Sequence, residues 1–344
     1  MRPAVIAFLR ATQQAGAIAN HLRRRAAFDA ILTPMRYRIA IGVAVWALAA
    51  AGTSAVAVAG VGPCLDSLAQ KIPARSATAP DGRAFTQQIR DLTGDEREAR
   101  IQHELLNGNI PNFLRRLVPV TMPQSGTNRP AVDIVLCVAP DYLAIGSDED
   151  FLLIPMRLGT ALMMAEAYGF MLPTPRIADA VYAQARAHFV PQPLPASDQM
   201  RSTDYYSRHN ELISQQRTAL GIVPGTLSAG DKKDMVLTNR LWSHLDRVAI
   251  YGWHRSDGTP IQTLSTVHGW HYADYSHGAR LISTQVFVNG QSASIFDVLQ
   301  NPRLAGSLSD DGVMLHAVDL IDTLSARAQA AIATVSPGLL RALP

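Results

Sequence analysis

Cysteine is scarce in this 344-residue chain, and so are charge and aromatics: two cysteines, 17% charged and 6% aromatic positions. Two cysteines exclude a disulfide-dense scaffold and a four-cysteine zinc site. Cys137 falls in Val132-Asp-Ile-Val-Leu-Cys-Val138, an apolar strand-like run that favours a buried, inert thiol. In an oxidising compartment it could instead pair with the distant Cys64. The formal charge is only +3, and Arg23, Arg24, Arg25, Arg36 and Arg38 crowd the start. No basic stripe interleaved with aromatics follows residue 120, which excludes the usual nucleic-acid surface. Internal repeats and low-complexity blocks are also absent. Asp148-Glu-Asp150 lacks the glycine and closing glutamate of an EF-hand, so it reads as a solvated turn.

One long apolar run is present, Ile39 to Pro63, free of formal charge. It is long enough to span a bilayer. It also reads as a secretory signal, with Met35-Arg-Tyr-Arg38 as the basic region and Ala55-Val-Ala57 or Ala57-Val-Ala59 as cleavage site. Residues 1–34 are then a spurious extension or a cytoplasmic segment, and residues 35–63 a signal peptide or transmembrane anchor. Either way the body is expected outside the cytoplasm, periplasmic or secreted, touching membrane only through this segment.

Residues 64–92 read as a linker, and residues 93–335 as a single α+β domain. Its expected order is N-terminal helices followed by an antiparallel β-meander. Thr93-Gly-Asp-Glu96 is a capping box, and Thr174-Pro175 marks another helix start. Asp257-Gly258 and Asn289-Gly290 are hairpin turns. The pair Met163-Met164 belongs to a helix core.

The densest chemistry lies in Ser265-Thr-Val-His-Gly-Trp-His-Tyr-Ala-Asp-Tyr-Ser-His-Gly-Ala-Arg280. Buried polar groups need partners, so cores are not built this way. As one straight strand it would hold His268 and Asp274 about 20 Å apart, at roughly 3.3 Å per residue. A joint site therefore requires a bend, at Gly269 or Asp274. His268, His271 and His277 offer zinc-ligand types, but H-x2-H-x5-H is not an established zinc spacing. Ser276 lacks the first glycine of a Gly-x-Ser-x-Gly elbow. General acid–base chemistry by His268 and His277, oriented by Asp274, asks least of the sequence. Trp270, Tyr272 and Tyr275 would form an aromatic wall, and Arg280 with Lys232, or its neighbour Lys233, would contact an anionic group. His209 and His254 are expected to border the same cleft.

Four phrases resemble a family of exported bacterial proteins of uncharacterised function. They are Gly108-Asn-Ile-Pro-Asn-Phe-Leu-Arg-Arg116, Asp141 to Phe151, Leu172-Pro-Thr-Pro-Arg-Ile177 and Ser265 to Arg280. The resemblance covers residues 93–313 and implies one continuous exported body. Arg247-Val-Ala-Ile-Tyr-Gly252 is similar to the histidine-bearing strand of NlpC-type cell-wall peptidases, but Thr174 stands where their catalytic cysteine opens a helix. The cysteine mechanism therefore does not carry over. The expectation is an exported hydrolase-like protein acting on a cell-envelope or extracellular polymer, by His/Asp chemistry. A polymer-binding module and a metal-dependent hydrolase are the alternatives, with any cofactor unknown.

Overall fold

Asn289 and Gly290 both take positive φ, 51° and 77°, the left-handed conformation that a tight hairpin turn requires. This turn joins two of the strands in a computed structural model that describes residues 64–123 and 131–335. Helices among the described residues are α1 (Gly82–Gln88), α2 (Gly94–Leu106), α3 (Leu158–Tyr168), α4 (Pro175–Gln184), α5 (Thr203–Ala219), α6 (Ile295–Gln300), α7 (Ala305–Leu308) and α8 (Ala317–Val335). The strands begin with β1 (Val118–Thr121), β2 (Ile134–Val138), β3 (Ala144–Gly146), β4 (Phe151–Leu153), β5 (Phe170–Met171), β6 (Ala187–His188) and β7 (Ser228–Ala229). They continue with β8 (Lys233–Met235), β9 (Ile250–His254), β10 (Pro260–Ser265), β11 (His277–Gly278), β12 (Ile282–Ser283), β13 (Gln285–Val288) and β14 (Gln291–Ser294).

The architecture is α+β. One sheet runs β14-β13-β2-β12-β5, with β1 also paired to β2, and every pairing in it is antiparallel. A second runs β10-β9-β8-β11, an antiparallel meander closed by one parallel pairing of β11 with β8. The helices do not all precede the strands, because β2 from the first half is the hub of the larger sheet. Its side chains at Ile134, Leu136, Cys137 and Val138 are buried, so strands from the end of the chain must come back to cover them. Thr174 caps α4 by accepting from the Ile177 amide, with Pro175 fitting the first helical position, as its sequence implied.

Two expectations need correction. Cys137 is not a free thiol: it is bonded to Cys64, with the Cα atoms 5.4 Å apart. The strand setting was read properly, but its partner lies far away in sequence and is brought over only by the fold. Residues 64–92 are not a linker either. Asp81 accepts from the Ala84 amide to start α1, which buries Phe85, and Ile89 follows it into the core. Gly82 packs so close to β4 that a Cβ there would stand 2.5 Å from the Phe151 carbonyl carbon. The described residues fall within one unit, residues 62–344. The apolar run Ile39 to Pro63 lies outside the described residues, and no described helix is long and apolar enough to cross a membrane.

Candidate functional site

The segment from His268 to His277 is folded rather than straight. The Tyr272 amide donates to the Gly269 carbonyl at 2.9 Å, and the His277 amide to the Asp274 carbonyl at 3.0 Å. Bends therefore fall at the two places where cooperation between His268 and Asp274 required them. The loop is pinned from several sides. Trp270 N–H donates to Asp246 at 2.8 Å, Tyr275 N–H to Met200 at 3.0 Å, and the Tyr206 hydroxyl to the Ala273 carbonyl at 3.0 Å. Lys232 Nζ donates to the Tyr275 carbonyl at 2.6 Å.

These turns bring His268, Tyr272, Asp274 and His277 together. The His268 and Tyr272 rings stack, centroids 4.0 Å apart and planes inclined by 7°. His277 lies 5.6 Å from Tyr272 and 6.4 Å from His268, ring centre to ring centre. Beneath them Asp274 accepts from the Ser276 amide at 2.8 Å and from its hydroxyl at 2.5 Å through Oδ1. Its Oδ2 stands 3.8 Å from His277 Nε2. His277 is the register partner of Lys233 on β8, so their side chains are neighbours on one face of the sheet. Lys233 Nζ in turn sits 5.3 Å from the centre of the Trp253 ring.

The depth of these groups divides their roles. Asp274, Ser276 and His277 are fully enclosed, whereas His268, Tyr272 and Lys233 are half-buried. Burial lowers the His277 pKa to about 4, with Asp274 opposing and Lys233 assisting. Burial alone would raise Asp274, but His277, the Ser276 hydroxyl and Lys233 outweigh it and hold the carboxyl at about 2. His268 lies below its ordinary value, again through burial, with Asp274 opposing and Lys233 adding to the shift. It is therefore a neutral imidazole at neutral pH. Its ring nitrogens have no hydrogen-bond partner among the described residues.

Unmet hydrogen-bonding capacity gathers here. Ten buried side-chain nitrogen or oxygen atoms lack a partner among the described residues, and five of them belong to His209, Trp253, Asp274 and His277. Trp253 adds backbone strain. Its φ of 54° is rare for a bulky side chain, and Gly252 before it has φ 95°. That conformation puts the indole against His209 and Tyr275, at ring distances of 6.0 and 6.3 Å.

Other expected site residues are elsewhere. Trp270 packs inward, with Arg327 4.4 Å above its ring, and Gly159 leaves it room. Tyr275 is 1% exposed, and its hydroxyl is bonded to Leu194. Of the expected aromatic wall only Tyr272 reaches the surface, because the Gly269 turn reverses the chain between Trp270 and Tyr272. Arg280 is not an anion contact at the surface. It is completely enclosed, donating to the Ala139 and Ser228 carbonyls at 3.0 and 2.7 Å, with its guanidinium 4.3 Å above Tyr142. Lys232 is 1% exposed and equally committed. Both belong to an interior charge cluster with Asp231, Asp234 and the Arg217–Asp141 pair, whose ends are 2.6 Å apart. Burial raises the Asp231 carboxyl and lowers the Lys232 ammonium in this cluster. His209 is 1% exposed and T-stacked on Tyr275, held down to about 2 by burial and by Lys232, against Asp274. His254 does not share this cleft: it bonds Asp179 at 2.8 Å and stacks on Tyr182, centroids 4.5 Å apart.

Sequence reasoning left Lys232 and Lys233 as alternatives and carried forward Lys232, the enclosed one; it assigned no role to Trp253. Strand parity could have found the lysine, since Lys233 and Asp234 must face opposite ways. Nothing local signals the Trp253 conformation except Gly252 before it.

His268, His271 and His277 do not converge on one point, and no group of three or more His, Cys, Asp or Glu among the described residues is placed to hold a metal. A groove of about 610 Å³, lined by no histidine, lies between α1 and α5 over β4. Asn210 on α5 closes the free edge of β4 there: its amide donates to the Phe151 carbonyl and accepts from the Leu153 amide, both at 2.9 Å. No family model, curated protein or solved structure matches the chain.

Proposed function

We propose that the protein is an exported hydrolase-like enzyme whose acid–base group is His268, acting on a cell-envelope or extracellular polymer. The observation that carries this reading is an accessible imidazole stacked on Tyr272 and backed by the enclosed Asp274–His277 pair. In the reaction, water attacks the scissile centre while His268 accepts its proton. The new bond to oxygen forms as the bond to the leaving group breaks, and the imidazolium returns the proton to that group. The face of Tyr272 favours the imidazolium while it exists. Asp274, Ser276 and His277 are positioning residues, since none reaches the surface. The Cys64–Cys137 bond supports an oxidising location, periplasmic or secreted.

A binding module is the second reading, supported by the enclosure of His277 and Asp274. His268→Gln and wild type, assayed on peptidoglycan and polysaccharide panels, separate the two. Turnover by wild type and a loss of about a hundredfold or more in the variant are expected. Binding without turnover by wild type leaves the module reading, and equal turnover by both proteins removes His268 from the chemistry.

A further inference from the structure

A half-buried cation, Lys233, stands beside His277, whose ring lies 6.4 Å from that of His268. Lys233 neighbours His277 across the β8–β11 pairing and reaches over the Trp253 ring. Arg201 is exposed at the end of the short turn whose Met200 carbonyl receives the Tyr275 amide. Neither cation has an ion-pair or side-chain hydrogen-bond partner among the described residues. Most other cationic side chains in this part of the fold do: Arg247 pairs with Asp246, Arg217 with Asp141, and Lys232 is bonded to a carbonyl. The nearby carboxylate, Asp274, is 1% exposed, with one oxygen taken by Ser276 and the other turned toward His277. The Lys233 ammonium is therefore left without a carboxylate partner beside the histidines. Trp253 is held in a strained conformation under Lys233, with its own N–H buried and unbonded. Such a conformation persists only where the surrounding structure over-determines it.

We propose that Lys233 forms a subsite for an oxyanion of the substrate, a carboxylate or a phosphate ester, next to His268. The inference rests on the acid–base reading of His268 and adds the substrate class: a polymer bearing anionic groups close to the bond that is cut. An ammonium over an aromatic face is partly stripped of water while keeping donors free, a suitable arrangement for a charge-assisted hydrogen bond to an incoming oxygen.

Binding of acetate, inorganic phosphate and neutral acetamide to the full-length protein tests this, read from the His268 ring resonances by NMR. Acetate or phosphate is expected to shift them saturably and acetamide to leave them in place, and the stronger anion names the source of the oxyanion. Lys233→Met should weaken that anion about tenfold, the loss of one charge-assisted hydrogen bond, whereas Lys233→Arg retains it. Lys233 is half-buried at the edge of the site, and unchanged resonances from the core confirm that the variant folds. Equal shifts with acetamide, no response to either anion at roughly 100 mM, or unchanged affinity in Lys233→Met would overturn the subsite. The outcomes also separate the two readings. Anion binding without turnover of any polymer removes the catalytic reading and leaves the subsite. Turnover that depends on His268 but is unaffected by Lys233→Met removes the subsite and leaves the catalysis.

Discussion

Replacing Cys64 by alanine opens the one disulfide, which spans 73 residues of sequence. The cross-link limits how far the unfolded chain can expand, and chain-entropy arithmetic for a loop of that length gives about 4.4 kcal/mol. Little in the folded state offsets the loss. Cys64 is only half-buried, and the freed Cys137 thiol stays within β2, where it is fully enclosed. For a body of this size the change lowers the melting temperature on the order of 10 °C. Thiol counting comes first: alkylation in denaturant without reductant should find none in wild type and one in the variant. Thermal and urea unfolding then give the stability difference, and the wild-type protein in reductant should approach the variant. Two reactive thiols in the oxidised protein would refute the pairing. A drop below about 1 kcal/mol with the bond intact would refute the loop-entropy reasoning.

Further outcomes follow from the interior. His209 has a folded pKa near 2, below its unfolded value, so its contribution is complete above pH 6.5 and declines as pH falls toward 2. Between pH 6.5 and 5 the loss from this group is about 2 kcal/mol, so His209→Leu should show a flatter urea stability profile over that range; an unchanged slope counts against a neutral buried imidazole. Arg280→Met leaves Asp231 and Asp234 enclosed without their guanidinium, and should cost about 3–5 kcal/mol by urea unfolding. A loss under about 1 kcal/mol would mean that those carboxyls are already neutral. Gly278→Ala places a methyl group 2.5 Å from Tyr142 Cδ1 and 3.0 Å from Lys232 Cβ. The clash should destabilise by about 1–3 kcal/mol in thermal unfolding, and wild-type stability would show that Tyr142 can move aside.

What could be read from the sequence was local. Asn289-Gly290 and Thr174-Pro175 carry their instructions in adjacent residues, because a left-handed turn and a helix start are decided by backbone preference. The segment His268–His277 was recognisable by its improbable side chains, and its bends followed from the distance a straight strand imposes. The depth of each side chain was not readable. Arg280 and Lys232 look like surface cations in the sequence, yet the fold encloses both within a charge cluster assembled from β7–β8, β11–β12, the loop before β3 and α5. Aromatic residues met the same limit: Trp270 and Tyr272 stand two positions apart, but one turn at Gly269 sends the first against the helices and the second to the surface. The Cys64–Cys137 pairing depended on a segment that resembles a linker until its contact with β2 is known.

Asn210 has a consequence for how copies of this protein meet. A short two-stranded sheet such as β3–β4 has an outer edge whose amide and carbonyl would otherwise accept another chain's backbone. One side-chain amide on α5 fills both positions, at Phe151 and Leu153, and imitates a neighbouring strand one residue long. The edge is thereby satisfied from within the same molecule. Since the imitation ends after a single residue, it gives no template along which further strands can add, and the surface beside it is left to side chains.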